Sequence, residues 1–241
     1  MTGERHRSFG DAAREYDRIR LAPPAAAIDW FLAGDERLVL DLGAGTGQLT
    51  RLLEDVDVVA VEPDERMREV LRARSPRARI LDGVAERIPL PDASVDAVVV
   101  GSAWHWFDPG RALAEVARVV RDGGRLGVAG LSPDPFVDWV ADLFDTDAEP
   151  HKGKVRGIYV DVHLPADAPF TPVTTQEFVS SVPLTPDAVL ELFATHSDYL
   201  VADEAERARL DTRRKAVLAG ETGPIDLPVR SWAWRTVRLP R

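Results

Sequence analysis

Three glycines at alternate positions, Gly43, Gly45 and Gly47, directly follow a short apolar run, Leu38–Leu42. Glycine allows positive φ angles and lets a ligand approach the main chain closely. The apolar run predicts a strand that is buried on both faces of a parallel sheet. The pattern over 47–55 predicts a helix, whose first N–H groups can receive polar ligand groups. Together these features predict a binding edge for a nucleotide-type ligand.

The spacing of the glycines argues against two common phosphate-binding loops. A dinucleotide fingerprint requires Gly-x-Gly-x-x-Gly, and Gln48 stands at its last position here. A P-loop requires a lysine directly after its last glycine, and none follows these glycines. A nicotinamide dehydrogenase is therefore a weaker hypothesis, and the chain also contains no Tyr-x-x-x-Lys.

A carboxylate follows the second apolar run, 56–61, which also predicts a strand. Glu62 lies nineteen positions after Gly43, and an acid at the tip of such a strand can accept both hydroxyls of a ribose. The alternative is an acid favoured by the dipole of the next helix, 65–74, but Asp64 is better placed as its N-cap. Met67 could pack on the adenine or fill the core.

An aromatic segment follows the fourth predicted strand, Val95–Val100. In a doubly wound sheet, ligands bind beyond the carboxyl ends of the strands that flank the switch point, so this segment should border the reactive end of a ligand. His105 is the candidate general base, because flanking tryptophans would desolvate its ring and keep it neutral. Its alternative role is a hydrogen bond to the nearby backbone. Trp104 and Trp106 could line the substrate pocket or pack in the core.

The order of the predicted elements indicates an α/β fold. Strands and helices alternate five times up to Gly130, which favours a parallel sheet with right-handed crossovers. The Pro- and Asp-rich stretch 131–168, with short helical patterns around 136–144, is either a surface excursion or a substrate lid. The remaining predicted strands are 78–81, 125–130, 170–184 and 229–239. The remaining predicted helices are 8–20, 25–32, 109–120, 186–200 and 204–218.

Composition narrows the classes of function. The chain has 241 residues and a net charge of −10, so its surface should repel nucleic acid and anionic membranes. It has no cysteine, which excludes thiolate zinc sites and disulfides, and we expect no metal. We see no signal peptide or membrane-spanning run and expect a cytoplasmic protein. The chain has no asparagine. This excludes the Asn-containing metal dyad of catechol-type enzymes and the Asn-Pro-Pro-Tyr motif of enzymes that act on amino groups of nucleic acids.

The sequence Asp41-Leu-Gly-Ala-Gly-Thr-Gly47 resembles the first motif of class I S-adenosylmethionine (SAM) methyltransferases. The segment containing Tyr16, Asp17 and Arg20 is similar to a helix that closes over the cofactor in that family, and Arg20 could pair with the methionine carboxylate. Residues 83–96 resemble the adenine-side loop, although Val84 replaces a frequent aspartate. The His-Trp-Phe run at 105–107 resembles the trans-aconitate methyltransferase-like subgroup.

The resemblance implies a single Rossmann-like domain with a doubly wound, seven-stranded sheet in the order 3-2-1-4-5-7-6. Its expected parts are N-terminal capping helices (1–34), a SAM-binding core (35–130), a lid or substrate region (131–169) and a C-terminal sheet edge (170–241). The predicted cofactor contacts, from the residues and the resemblance together, are Tyr16, Arg20, Asp41, Gly43, Ala44, Gly45, Thr46, Gln48, Glu62, Pro63, Met67, Val84, Ala85, Glu86, Gly101 and Ser102.

The resemblance also implies the reaction. It predicts transfer of a methyl group from SAM to an oxygen, nitrogen or carbon atom of a small molecule, with S-adenosylhomocysteine as the product. The alternative is a protein of this fold that binds SAM without transferring the methyl group, as a rearrangement catalyst or an interaction partner. The acceptor and the oligomeric state stay open.

Overall fold

The computed structural model describes residues 17–144 and 161–240. The strands are β1 Leu38–Leu42, β2 Asp57–Val61, β3 Arg79–Leu81, β4 Val95–Gly101, β5 Val120–Pro133, β6 Thr174–Leu184 and β7 Ile225–Val237. The helices are α1 Ala25–Phe31, α2 Glu65–Arg74, α3 Pro109–Val119, α4 Asp138–Ala141, α5 Pro186–Ala194, α6 Ser197–Val201 and α7 Glu204–Val217, with short 3-10 helices at Thr50–Leu52 and Trp104–Trp106.

The seven strands form one sheet in the order β3-β2-β1-β4-β5-β7-β6, which confirms the predicted topology. The first five strands pair in parallel, and β7 pairs antiparallel with both β5 and β6. Strands β1 and β2 are apolar and buried because helices and loops cover both faces of the sheet. Since parallel strands end at the same edge, the loops after β1, β2 and β4 lie side by side.

Two apolar layers cover the sheet. On one face, Trp104 and Trp234 pack with residues of α3 such as Val116. On the other face, Phe31 of α1 packs over the middle strands, and a side chain at Gly127 would collide with its ring. A third cluster joins α4, α5 and the first half of β7. These layers fix the positions of the strand ends that carry the candidate site.

Several predicted boundaries are wrong. The helix expected over 47–55 is a series of turns with one 3-10 helix at Thr50–Leu52. The helix expected over 186–200 is interrupted at His196, whose extended backbone (ψ 145°) separates α5 from α6. The fifth strand is longer than 125–130 at both ends, since it begins at Val120, which pairs with Val95 of β4, and pairs with the long β7 strand up to Pro133. That pairing lies about a hundred positions away in the sequence, so no local pattern signals it.

The predicted N-terminal helix, 8–20, lies largely outside the described residues. In its described part, 17–20, residues 17–19 are helical. Asp64 confirms its predicted role as N-cap of α2, since its side chain accepts a hydrogen bond from the Arg66 amide. No helix within 17–144 or 161–240 is long and apolar enough to cross a membrane.

Candidate functional site

The glycine loop is fastened to the end of β2. The amides of Gly43 and Ala44 both donate to the carbonyl of Val61, at 2.9 and 3.1 Å. Gly43, Gly45 and Gly47 have φ angles of 72°, 57° and 91°, the left-handed region that favours glycine. The loop therefore holds a fixed shape at the carboxyl edge of the sheet, as the sequence predicts.

The glycines differ in what surrounds them. A Cβ at Gly43 would lie 2.9 Å from Cβ of Ala103 and 3.0 Å from Cζ of Phe107, so the segment after β4 packs directly on the start of the loop. A Cβ at Gly45 would meet no atom of the described structure within 4 Å. Gly45 therefore presents its main chain to open space at the edge where a ligand is expected.

Glu62 joins the glycine loop to α2. Its carboxylate accepts hydrogen bonds from the Gly45 amide through Oε2 and from the Asp64 amide through Oε1, both at 2.9 Å. Burial raises the pKa of Glu62, and the two backbone hydrogen bonds oppose that rise. Because each carboxylate oxygen can accept two hydrogen bonds, each oxygen retains capacity for a ligand hydroxyl.

Asp41 lies beneath the loop and is fully buried. Its Oδ2 accepts a hydrogen bond from the Thr50 hydroxyl at 2.5 Å. Burial raises its pKa from 3.8 to about 7, and the nearby Glu62 charge adds to this rise. Among the described residues, neither Oδ1 of Asp41 nor Oγ1 of Thr46 has a hydrogen-bond partner, although both atoms are buried. Buried polar atoms normally have one, so these two atoms are candidates for binding polar groups of a ligand.

Asp17 attaches the N-terminal segment beside the loop. Its carboxylate is paired with Arg51 at 3.0 Å and with Arg74 at 3.1 Å. The side-chain amide of Gln48 donates to its carbonyl at 2.7 Å. Gln48, which was predicted only as a cofactor contact, thus binds the main chain of the N-terminal segment. The local sequence gives no signal for these partners, because the ion pairs join positions 34 and 57 residues apart.

Arg20 and Tyr16 were predicted at the methionine end of the cofactor. The described part of the structure places an Nη2 hydrogen bond from Arg20 to the carbonyl of Thr195, at 3.3 Å, at the end of α5. Arg20 therefore contacts the C-terminal part of the chain, and its contact with the cofactor stays a prediction. Tyr16 lies outside the described residues.

The adenine-side loop contacts the start of α3, and its contacts with the adenine stay a prediction. Val84 is exposed and Ala85 is buried. Oε1 of Glu86, one of the predicted cofactor contacts, accepts a hydrogen bond from the Asp108 amide at 2.7 Å. Asp108 is the N-cap of α3, so Glu86 joins this loop to the start of that helix. Nearby, Met67 is buried and Pro63 is exposed.

The aromatic segment after β4 divides between the core and the surface. Trp104 is buried, with its ring edge-on to Trp234 at a centroid distance of 5.2 Å. His105 is exposed and lies 4.7 Å from the ring of half-buried Trp106. The prediction that tryptophans desolvate His105 is therefore wrong, because one of them turns into the core.

Ser102, which directly follows β4 and half-buried Gly101, has a positive φ of 52°, unusual for a residue with a side chain. Its amide donates to the carbonyl of Ala129 at 2.7 Å, which fixes this bend. Such strain occurs often at functional sites. No group of three or more potential metal ligands comes together in residues 17–144 and 161–240.

Comparison with known proteins identifies the family. A family model described as a methyltransferase domain matches residues 40–128, which run from β1 into β5. An uncharacterized methyltransferase of Mycobacterium tuberculosis is 45% identical over 217 residues, covering 88% of this chain and 86% of that protein. The chain belongs to the class I SAM-dependent methyltransferases.

Two further matches extend over nearly the whole methyltransferase. An uncharacterized methyltransferase of Schizosaccharomyces pombe is 27% identical, covering 97% of this chain and 98% of that protein. A solved structure from Anaeromyxobacter dehalogenans, provisionally described as a type II methyltransferase, matches with a TM-score of 0.61 and 26% identity. The match covers 92% of this chain and 99% of that one. None of these three relatives is described by its acceptor, so the trans-aconitate subgroup stays a prediction for this methyltransferase.

Proposed function

We propose that this chain binds SAM over the glycine loop and transfers its methyl group to a small molecule. The conformation and surroundings of Gly45 are the main support for this proposal. Its backbone is left-handed, a Cβ there would meet no atom within 4 Å in the part of the chain that the structure describes, and its amide is held by the carboxylate predicted to bind the ribose. A loop that served only as a turn would not need an acid from the next strand to fix its central amide.

The polar groups around the loop fit a ligand of this kind. Glu62 retains acceptor capacity for ribose hydroxyls, and Asp41 and Thr46 carry buried polar atoms with no hydrogen-bond partner among the described residues. When bound, SAM would supply a methyl group on a positively charged sulfur, and its good leaving group would be the neutral thioether of S-adenosylhomocysteine. The protein's contribution is then chiefly to hold the two reactants in line and to exclude water.

The charge of the chain supports a small molecule as the acceptor. With a net charge of −10, the surface repels the phosphate backbone of DNA or RNA and an anionic membrane. The loop after β4, which carries His105 and Trp106, lies at the carboxyl edge of the sheet, where Ala103 and Phe107 of the same loop pack on Gly43. We propose that this edge, together with the C-terminal part of the chain, forms the acceptor pocket.

Calorimetry with SAM, followed by mass spectrometry of the reaction mixture, tests this function. We expect SAM to bind and S-adenosylhomocysteine to form with at least one member of a panel of small carboxylic acids, phenols and amines. DNA and RNA serve as comparison acceptors. If SAM binds but no acceptor yields S-adenosylhomocysteine, the result would favour the alternative of a SAM-binding protein that does not transfer methyl groups. A failure to bind SAM would contradict the proposal.

Glu62→Gln is expected to weaken SAM binding by about ten- to a hundredfold, since a hydrogen bond to a charged group contributes roughly 1.5–3 kcal/mol. Both carboxylate oxygens accept backbone N–H groups, so the amide nitrogen of glutamine must face a donor at Gly45 or Asp64. Glu69→Gln, at an exposed position on α2, is the control. Calorimetry on both variants decides, and unchanged affinity in Glu62→Gln and Glu62→Ala would contradict the assignment.

His105 stays the predicted proton acceptor for acceptors that must lose a proton. His105→Gln should lower turnover at saturating substrates by about a hundredfold, a typical contribution of a general base. SAM affinity should not change, because the exposed His105 ring lies in the loop after β4 rather than in the glycine loop. Steady-state kinetics with an identified acceptor measures this effect. Turnover close to that of the wild type would show that the enzyme works by alignment alone.

A further inference from the structure

Arg68 is a buried cation next to the candidate ribose site. It lies on α2, and 7% of its side chain is exposed. Its Nη1 donates to the main-chain carbonyl of Glu62 at 2.7 Å and to Oδ1 of Asp82 at 2.9 Å. Its Nη2 pairs with the carboxylate of Glu65. One guanidinium thus connects α2 to the ends of both β2 and β3.

These contacts act on Glu62 in two ways. The hydrogen bond to the carbonyl fixes the main chain from which the Glu62 side chain extends. The positive charge of Arg68 favours the ionised form of the nearby carboxylate, whereas burial and the charges of Asp64 and Asp41 disfavour it. Both effects matter for a ligand, because only an ionised carboxylate in a fixed position can accept hydroxyl hydrogen bonds with both oxygens while it also holds two amides.

We propose that Arg68 is a positioning residue for SAM binding, which holds Glu62 in place and keeps its carboxylate ionised. This inference rests on the proposed function, since it concerns the binding of the ribose by Glu62. Arg68 itself need not touch the cofactor. The competing explanation is that Arg68 only connects β2 and β3 mechanically through Glu62 and Asp82. The two explanations differ in how ligand affinity should depend on pH.

Three variants separate charge from hydrogen bonding. Arg68→Gln keeps a donor but removes the charge, and Arg68→Lys keeps both a donor and the charge. Arg72→Gln is the matched control, because Arg72 lies one turn further along α2 and also pairs with Glu65, at 2.8 Å, but is half exposed. Thermal unfolding of each variant establishes that it is folded before binding is measured.

The probe is 5′-methylthioadenosine, which carries the adenine and ribose of SAM but no amino or carboxyl group that titrates near neutral pH. Calorimetry compares it with its 2′-deoxy counterpart between pH 6 and pH 8.5. Arg68→Gln should bind the probe more weakly than the wild type at pH 6, by up to about tenfold for each unit by which the carboxylate pKa rises. The difference should be smaller at pH 8.5, where the carboxylate ionises more readily. Arg68→Lys and Arg72→Gln should follow the wild type.

Further outcomes test the path through Glu62. The loss in Arg68→Gln should be smaller for the 2′-deoxy probe and absent when Glu62→Gln is already present. A loss that is equal for both probes would overturn the proposal in favour of a mechanical connection, and a loss that is equal at every pH would overturn its claim about the ionisation of Glu62. No loss in a folded Arg68→Gln would also overturn it. If the wild type binds no probe and no SAM, the proposed function fails instead, and the two failures are thus distinguishable.

Discussion

Gly45→Val should abolish measurable SAM binding, a loss of about a thousandfold or more in affinity and thus roughly 4 kcal/mol. Two causes combine. A β-branched residue is disfavoured at a φ of 57°, so the loop must change its shape. The added side chain would also project into the open space beside Gly45, where the cofactor is expected to lie. The amide that donates to Glu62 would move with the loop.

The sheet should stay folded in this variant. A Cβ at Gly45 meets nothing within 4 Å in the described structure, so the change does not disturb the core. Gly34→Val is the matched control, because Gly34 has a φ of 87°, is equally open around its Cβ and precedes β1 at the opposite edge of the sheet. Both variants carry backbone strain on the order of 1–2 kcal/mol, but only Gly45→Val should lose the cofactor.

Circular dichroism, thermal unfolding and SAM titration on the two variants together measure this. Equal losses of stability with binding lost only in Gly45→Val would assign the loop to the cofactor. A folded Gly45→Val that binds SAM with wild-type affinity would mean that the loop is only a turn between β1 and the next segment. Loss of binding in both variants would point to a general effect of backbone strain.

The local sequence predicts the part of the site that is made by neighbours along the chain. An apolar run followed by Gly43, Gly45 and Gly47 specifies a strand and a loop, because periodicity and left-handed φ angles are local properties. The place of Glu62 follows from the length of the second strand. The topology of the last two strands came from the resemblance, and the structure confirms it.

The directions of individual side chains were beyond such patterns. Trp104 and His105 are adjacent in sequence, yet one packs on Trp234 and the other is exposed. That difference depends on a single 3-10 turn after β4 and on a tryptophan 130 positions away. Glu86 likewise accepts a hydrogen bond from the start of α3, a contact across 22 positions. Contacts of this kind depend on how elements pack, which spacing alone does not encode.

The contacts of Arg68 were not predicted for the same reason, since they depend on how α2 packs against the strand ends. The pattern over 65–74 predicts a helix with charged residues on its surface, and Arg72 fits that expectation. Arg68 does not, because β3 brings Asp82 alongside the end of β2 and encloses the guanidinium. A charged residue at a buried helical position is a signal only after the neighbouring strand order is known.

Asp41→Asn should stabilise the protein near neutral pH by an amount on the order of 4 kcal/mol relative to its effect at pH 4, since each pKa unit corresponds to about 1.4 kcal/mol. Burial raises the pKa of Asp41 to about 7, whereas an unfolded chain ionises this group near 3.8. Between these values the folded state binds the proton and the unfolded state does not, so unfolding releases a proton. The free energy of unfolding therefore falls as pH rises from about 4 to 7 and is level above that range.

Asparagine keeps an oxygen that can accept the Thr50 hydroxyl but does not ionise, so it removes this pH dependence. Denaturant unfolding of the wild type and of Asp41→Asn at pH 5, 6, 7 and 8 should show a stability difference that grows in favour of the variant up to pH 7. Asp57→Asn, at the exposed start of β2, serves as the control. A constant difference would show that Asp41 is ionised throughout, held by a partner stronger than Thr50. The growing difference would instead show that the folded protein keeps Asp41 protonated below about pH 7, because burial disfavours its charge.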